Sequence, residues 1–405
     1  MELRDNYIYR NKKIYQEGKK KPLKFVKLNG CHNNYQLTIN GSKINAFLKQ
    51  SIGASDYADV VSKRLCDELN IKCAECELVN MTDFPQENEE QKMEFDAYVE
   101  FCKDHFGITD LNKLKKSYKD YSKKFEGIET KHAILSYDYK CVEPYKSAKI
   151  IKLDELVHAY SSITEQDGTF AIESYVNIAK ELCDSKSQVG KELRKRLKLK
   201  NNIELSQFFD LDLKKIALLG YATCQMDMSS QNMHLALIKT KKGYRLEVAP
   251  LFDNGESFNL DSVNHKQIST TDDVEYATTN TSNYGNALTL KETDTRDAES
   301  QLVSLAEEII NNPELEKYYD ILQWLNIEDL CNKENIGEKG FDAVKHTIVK
   351  IYNERISLLQ QEIKKQQEKN ISTQTIQQPN IKNKKVRTKQ VALDKEIINE
   401  EEQEL

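Results

Sequence analysis

The stretch that most constrains this chain runs from Ile216 to Phe258 and reads IALLGYATCQMDMSSQNMHLALIKTKKGYRLEVAPLFDNGESF. Phe209, Leu213, Ile216, Ala217 and Gly220 recur at helical spacing, so a helix leads into it. Asp227 and Asn232 follow on a short polar loop. HLALI and YRLEVA are apolar-alternating runs on either side of a Lys241-Lys242-Gly243 turn, a pattern that predicts a β-hairpin. The hairpin ends at Pro250, and Asp253-Asn254-Gly255 comes directly after it. The order is helix, Asp-x4-Asn loop, hairpin, Asp-x-Gly.

That order has a chemical meaning. A phosphotransferase needs a carboxylate near the attacking hydroxyl, and oxygen ligands that hold magnesium against nucleotide phosphates. In protein kinases the catalytic-loop Asp fills the first role, while a following Asn and the Asp of Asp-Phe-Gly hold metal. A hairpin joining the two loops lets Asn232 and Asp253 approach one another, and both offer the hard oxygen donors that magnesium prefers. The same residues also read as two surface turns flanking a hairpin. The spacing, with PLFDNGESF immediately after the second strand, favours the site.

MDMSSQNMHLALI and LEVAPLFDNGESF resemble the catalytic core of the HipA-like kinases, including the short CtkA-like bacterial serine/threonine kinases. These belong to an atypical kinase group that includes the phosphoinositide 3-kinases. The resemblance implies an α+β, two-lobed, protein-kinase-like fold with a small β-rich N-lobe and a mostly helical C-lobe. It implies transfer of the γ-phosphoryl group of ATP to a Ser or Thr hydroxyl of a protein, with Mg2+ as the metal. Asp227 matches the family's base, Asn232 its metal-binding Asn and Asp253 its metal-binding Asp. Met228 and Ser229 stand where the family carries Arg and His. That departure leaves a catalytically inactive kinase-fold binding module as an alternative. A kinase toxin held by a small DNA-binding antitoxin is another. A lipid kinase ranks lower, because no basic lipid-facing motif is present. The family's longer toxins carry an extended segment ahead of the phosphate loop, and this chain has a short one, as in the CtkA-like type.

The N-terminal half supplies the remaining expected parts. YQLTINGSKINAFLKQS reads as strand, Asn40-Gly41 turn and strand. The turn, with Gly41 and Ser42, is expected over the ATP phosphates, its backbone amides facing them. Ser42 is the autophosphorylation site that the resemblance implies. Lys49 closes the second strand, where a kinase lysine reaches the α- and β-phosphates and pairs with an acid on the next helix. That helix is expected from about Asp56 to Leu69, since Val61, Leu65 and Leu69 share one face. Asp59, in its first turn, is the expected partner of Lys49, with Lys43 the other lysine to weigh.

The rest of the chain divides as follows. Residues 1–30 are a basic, solvated extension, and 31–150 the small lobe, with a helical insertion at about 83–127. Residues 151–365 form the large lobe, and 366–405 a disordered polar tail. CELVN reads as a strand, as does the segment from Ala133, which passes into a hinge where Val142, Glu143 and Pro144 present backbone groups to adenine. Phe170 to Leu199 reads as helical. The polar run Glu256 to Leu288 reads as an activation or substrate-binding segment. A net charge of −6 gives no ground for direct nucleic-acid binding, and no apolar run approaches a membrane span. Nine cysteines without a framework favour free thiols in a reducing cytoplasm, though export as an effector stays open. The one CxxC, Cys73 to Cys76, lacks a second pair or nearby His to complete a zinc site.

Overall fold

The computed structural model describes residues 6–10, 13–16, 21, 23–28, 33–38, 45–50, 55–82, 95–106, 108–123, 132–165, 171–225, 232–254, 257–258, 289–291, 298–333 and 342–377. Its fold is α+β and two-lobed. The small lobe is built on β1 (Asn6–Arg10), β2 (Lys13–Gln16), β3 (Lys24–Leu28), β4 (Asn33–Thr38), β5 (Asn45–Gln50), β6 (Cys76–Thr82) and β7 (His132–Tyr137). They form one sheet in the order β2-β1-β6-β7-β5-β4-β3. The segment read as a basic extension therefore supplies three strands. β1 pairs in parallel with β6, and Ile14 of β2 is fully buried. The apolar alternation in YIYR and KIYQ is short and interleaved with lysines, so it reads from the sequence as a solvated arm.

Side chains alternate across a strand, and that period sorts the small lobe into two faces. Leu37, Ala46, Leu48, Val79, Ala133 and Leu135 form the core of one face. Lys49, next to Leu48, points to the other, where helix α1 (Ser55–Glu68) lies between β5 and β6 in the chain. α1 begins one residue before the expected start. Its stripe of Ala58, Val61, Leu65 and Leu69 is fully buried, yet it joins the core of the large lobe rather than that of the sheet. α1 thus belongs to both lobes. Helices α2 (Phe95–Phe106) and α3 (Leu111–Lys123) form the insertion between β6 and β7 and pack on one another through Tyr98, Cys102 and Leu114.

The large lobe carries β8 (Lys149–Lys152), α4 (Leu153–Thr164), α5 (Ile172–Cys183), α6 (Gln188–Arg196), β9 (Ile203–Leu205), α7 (Phe209–Ala222), β10 (His234–Lys239) and β11 (Tyr244–Val248). Helices α8 (Ala298–Asn311), α9 (Pro313–Trp324), α10 (Ile327–Lys333) and α11 (Asp342–Gln377) follow. Its sheet runs β8-β10-β11-β9. β10 and β11 form the expected hairpin, in register from Leu235↔Val248 to Lys239↔Tyr244. The helical stretch 170–199 is two helices. Ser187 ends the first run by capping α6, its Oγ accepting from the Gly190 amide at 2.9 Å. α11 continues to Gln377, beyond the point where disorder was expected to begin. Among the described residues no helix is long and apolar enough to cross a membrane.

Candidate active site

The site forms where β5, α1 and the end of the β10–β11 hairpin meet. Lys49 Nζ lies 2.5 Å from Asp253 Oδ1 and 3.9 Å from Asp59 Oδ2. The expected partner, Asp59, is the looser contact; Asp253, more than two hundred positions along the chain, is the close one. Asp59 is buried, its side chain 9% exposed, whereas that of Asp253 is 46% exposed. Asp59 spends its carboxylate elsewhere: Oδ1 accepts from the backbone amide of Asn254 at 2.6 Å. A buried carboxylate needs such partners, because leaving water costs several kcal/mol per ion. Asp59 therefore fastens α1 directly to the Asp-x-Gly turn, beside the lysine.

The turn itself is held in an unusual backbone state. Asp253 has φ 57° and Phe258 φ 60°, both left-handed. A bulky aromatic in that region is rare and persists only where its surroundings over-determine it. Phe258 is fully buried, and its amide donates to Thr223 O at 2.6 Å. The Ser257 amide closes onto Asn254 O at 3.0 Å. Thr223 caps the end of α7, and Cys224 follows with φ 51° while Gln225 N reaches back to Gly220 O. The point where the chain leaves α7 for the Asp-x4-Asn loop is thus tied to the segment that carries Asp253. The loop's far end is Asn232, half-buried. His234 O accepts from the Ala249 amide at 2.9 Å, closing the hairpin, so Asn232 and Asp253 both lie at its open end.

Backbone and side-chain ties close the seam between lobes. Leu251 N donates to Lys72 O and Ala74 N to Leu251 O, at 2.9 and 2.7 Å. Lys72 pairs with the buried Glu247 at 2.6 Å. Beside them, His234 Nδ1 lies 2.5 Å from the Tyr139 hydroxyl and its ring 4.7 Å from that of Phe252. Burial, aided by the Lys140 and Lys152 charges, pushes the His234 pKa down to about 4, so the ring is neutral at pH 7. At the expected hinge, two of the three residues cannot offer an amide. Val142 donates its amide to Tyr139 O at 3.1 Å, within a short 3-10 turn, and Pro144 has no amide to offer adenine.

Of the residues singled out in the sequence, the structure brings Lys49, Asp59 and Asp253 into contact and sets Asn232 at the same hairpin end. Asp227, Met228, Ser229, Gly41 and Ser42 lie outside the described residues. Asn254 is the residue that sequence reasoning passed over. It occupies the variable position of Asp-x-Gly, and its backbone amide, which no side-chain pattern reports, makes the contact to Asp59.

Among the described residues no group of three or more His, Cys, Asp or Glu is placed to hold a metal ion. Magnesium takes few protein oxygens and completes its shell with water and phosphate. Asn232 and Asp253 are the residues that would hold it. When bound it would neutralise charge on transferring phosphate oxygens.

Among solved structures the chain is similar to a proinflammatory kinase CtkA from Helicobacter pylori, with TM-score 0.46 and 10% identity, covering 84% of this chain and 96% of that one. It is also similar to HipA of Shewanella oneidensis MR-1, solved with HipB and operator DNA, with TM-score 0.43 and 10% identity, covering 84% of this chain and 67% of that one. Both neighbours are of the HipA-like and CtkA-like kind that the two loop motifs resemble. No family model matches the chain, and neither does any curated protein.

Proposed function

We propose that this protein is an ATP- and Mg2+-dependent serine/threonine protein kinase of the HipA-like kind. The observation that carries the reading is the convergence of Lys49, Asp59 and Asp253, from three separate segments, within 3.9 Å of one ammonium. Two surface turns flanking a hairpin give no reason for that convergence. In this reading Lys49 holds the nucleotide phosphates and Asp59 orients it. Asn232 and Asp253 hold magnesium, and Asp227 orients and deprotonates the acceptor hydroxyl. Gly41 and Ser42 cover the phosphates, with Ser42 open to autophosphorylation. Catalysis is positioning plus charge neutralisation.

The test is incubation of the full chain with magnesium and γ-labelled ATP, beside Asp253→Ala and Asp227→Ala. Label on protein with wild type, none with either variant, and magnesium-dependent thermal stabilisation by ATP lost only in Asp253→Ala is the expected pattern. Normal transfer by Asp227→Ala sinks the assignment. The departure at Met228 and Ser229 favours one second reading, a kinase fold that binds nucleotide without turnover. Nucleotide-induced stabilisation with no label identifies it. The HipA neighbour was solved with HipB and DNA, so a small regulatory partner that itself carries any DNA contact is part of the proposal; co-purification with the product of an adjacent gene tests it.

A further inference from the structure

The CxxC run finds no role in phosphoryl transfer, yet it lies against the site. Cys73 Sγ accepts from Asn254 Nδ2 at 3.6 Å, one residue from Asp253. Cys73 also pairs with Leu251 in an isolated bridge, so it sits in the strip that fastens the small lobe to the hairpin end. A third thiol joins it from α1. The helix ends in a left-handed turn, with Asn70 at φ 50° and Ile71 N bonded to Cys66 O at 2.8 Å. That reversal lays Cys73 back against the core that holds the fully buried Cys66, with each thiol in the other's electrostatic reach. Cys76 faces elsewhere. Its thiol donates to Asp59 O at 3.6 Å. All these cysteines are free thiols.

We propose that Cys66 and Cys73 form a peroxide-responsive thiol pair whose disulfide withdraws Cys73 from Asn254 and thereby loosens the seat of Asp253. Cys73 is the more accessible and reacts first. Its sulfur attacks a hydroperoxide, the O–O bond breaks, and Cys73 sulfenic acid and an alcohol (water, for hydrogen peroxide) form. Cys66 sulfur then attacks the sulfenic sulfur. The S–O bond breaks, the S–S bond forms, and the hydroxide leaves as water with the Cys66 proton. Two thiols are oxidised by two electrons and one peroxide is reduced. The neighbouring Cys73 thiol, together with burial, raises the Cys66 thiol's pKa well above the ordinary value, so Cys66 is the poorer nucleophile toward peroxide and attacks only once the Cys73 sulfenic sulfur lies beside it, passing its proton to the departing hydroxide. The effect on nucleotide binding rests on the kinase reading; the disulfide does not.

Treating the full chain with hydrogen peroxide, blocking remaining thiols and digesting with trypsin tests the pair directly. Cleavage after Lys72 puts Cys66 on one peptide and Cys73 with Cys76 on the next. The expected product is a dithiothreitol-sensitive link between those two peptides through Cys73, lost in Cys73→Ser and, independently, in Cys66→Ala. A bridge inside the second peptide, or Cys73 recovered only as thiol or as sulfinic and sulfonic acid, overturns the proposal. The second readout is thermal stabilisation by magnesium and ATP before and after oxidation. Loss of one hydrogen bond supporting the turn is expected to weaken nucleotide binding about fivefold, reversibly, and not in Cys73→Ser. Equal binding by both forms refutes the regulatory effect. A disulfide with no nucleotide binding in either form sinks the kinase reading and leaves the thiol site standing.

Discussion

Among its contacts with described residues, Asp59 makes two of very different weight that alanine would remove. The ion pair to Lys49 is long, at 3.9 Å, and Lys49 keeps Asp253 at 2.5 Å, so its loss costs about 0.5 kcal/mol. The bond to the Asn254 amide is short, at 2.6 Å, and charge-assisted, and Asn254 is only 5% exposed. Losing it leaves a buried amide without its acceptor, at a cost of about 1.5–3 kcal/mol. Asp59→Ala should therefore destabilise the protein by about 2–3.5 kcal/mol. Asp59→Asn keeps an oxygen that can accept from Asn254 and loses only the charge, so about 1 kcal/mol is expected. Equilibrium urea unfolding followed by far-ultraviolet circular dichroism, without nucleotide, reads both. The reasoning fails if Asp59→Ala lies within about 0.5 kcal/mol of wild type. It also fails if Asn is as damaging as Ala, because the charge and not the backbone tie would then be what matters.

Asp253 gives a second test of the same turn. With φ 57° and a half-exposed ion pair, Asp253→Gly should be about 1 kcal/mol more stable than Asp253→Ala in urea unfolding, while both lose magnesium-dependent nucleotide binding. His234 titrates at about 4 in the fold against 6.5 when unfolded, so the unfolded chain binds the proton first. Its contribution is fully present above pH 6.5 and falls away as pH drops toward 4, by about 2–3 kcal/mol, and the difference between wild type and His234→Gln should shrink over that window in pH-dependent unfolding. At Gly190 an added Cβ would sit 1.9 Å from the Glu181 carbonyl oxygen, so Gly190→Ala should force α5 and α6 apart and cost more than about 3 kcal/mol by the same measurement; a neutral substitution would mean the two helices are not packed this closely.

The sequence alone determined those features whose cause is local. HLALI and YRLEVA alternate on either side of a Lys-Lys-Gly turn, and that period is enough to make a hairpin wherever it is placed. Val61, Leu65 and Leu69 recur every fourth residue, which fixes a helix and its apolar stripe. Lys49 follows Leu48 in a strand, so it must face away from whatever core Leu48 enters. What β1 and β2 would become was not legible, because YIYR and KIYQ are too short and too basic to show a period; their place in the sheet comes from the pairing of β1 with β6, about seventy residues away. Nor was the destination of the α1 stripe, since the sequence shows that a face is apolar but not which lobe covers it. The site itself was decided by tertiary structure. Asp59 could be matched to Lys49 by order, but its stronger bond goes to the amide of Asn254, 195 positions away. Backbone amides carry no signature in sequence. Only the return of the chain from the hairpin to α1, held by Leu251, Thr223 and the left-handed residues around the turn, brings that amide to the carboxylate.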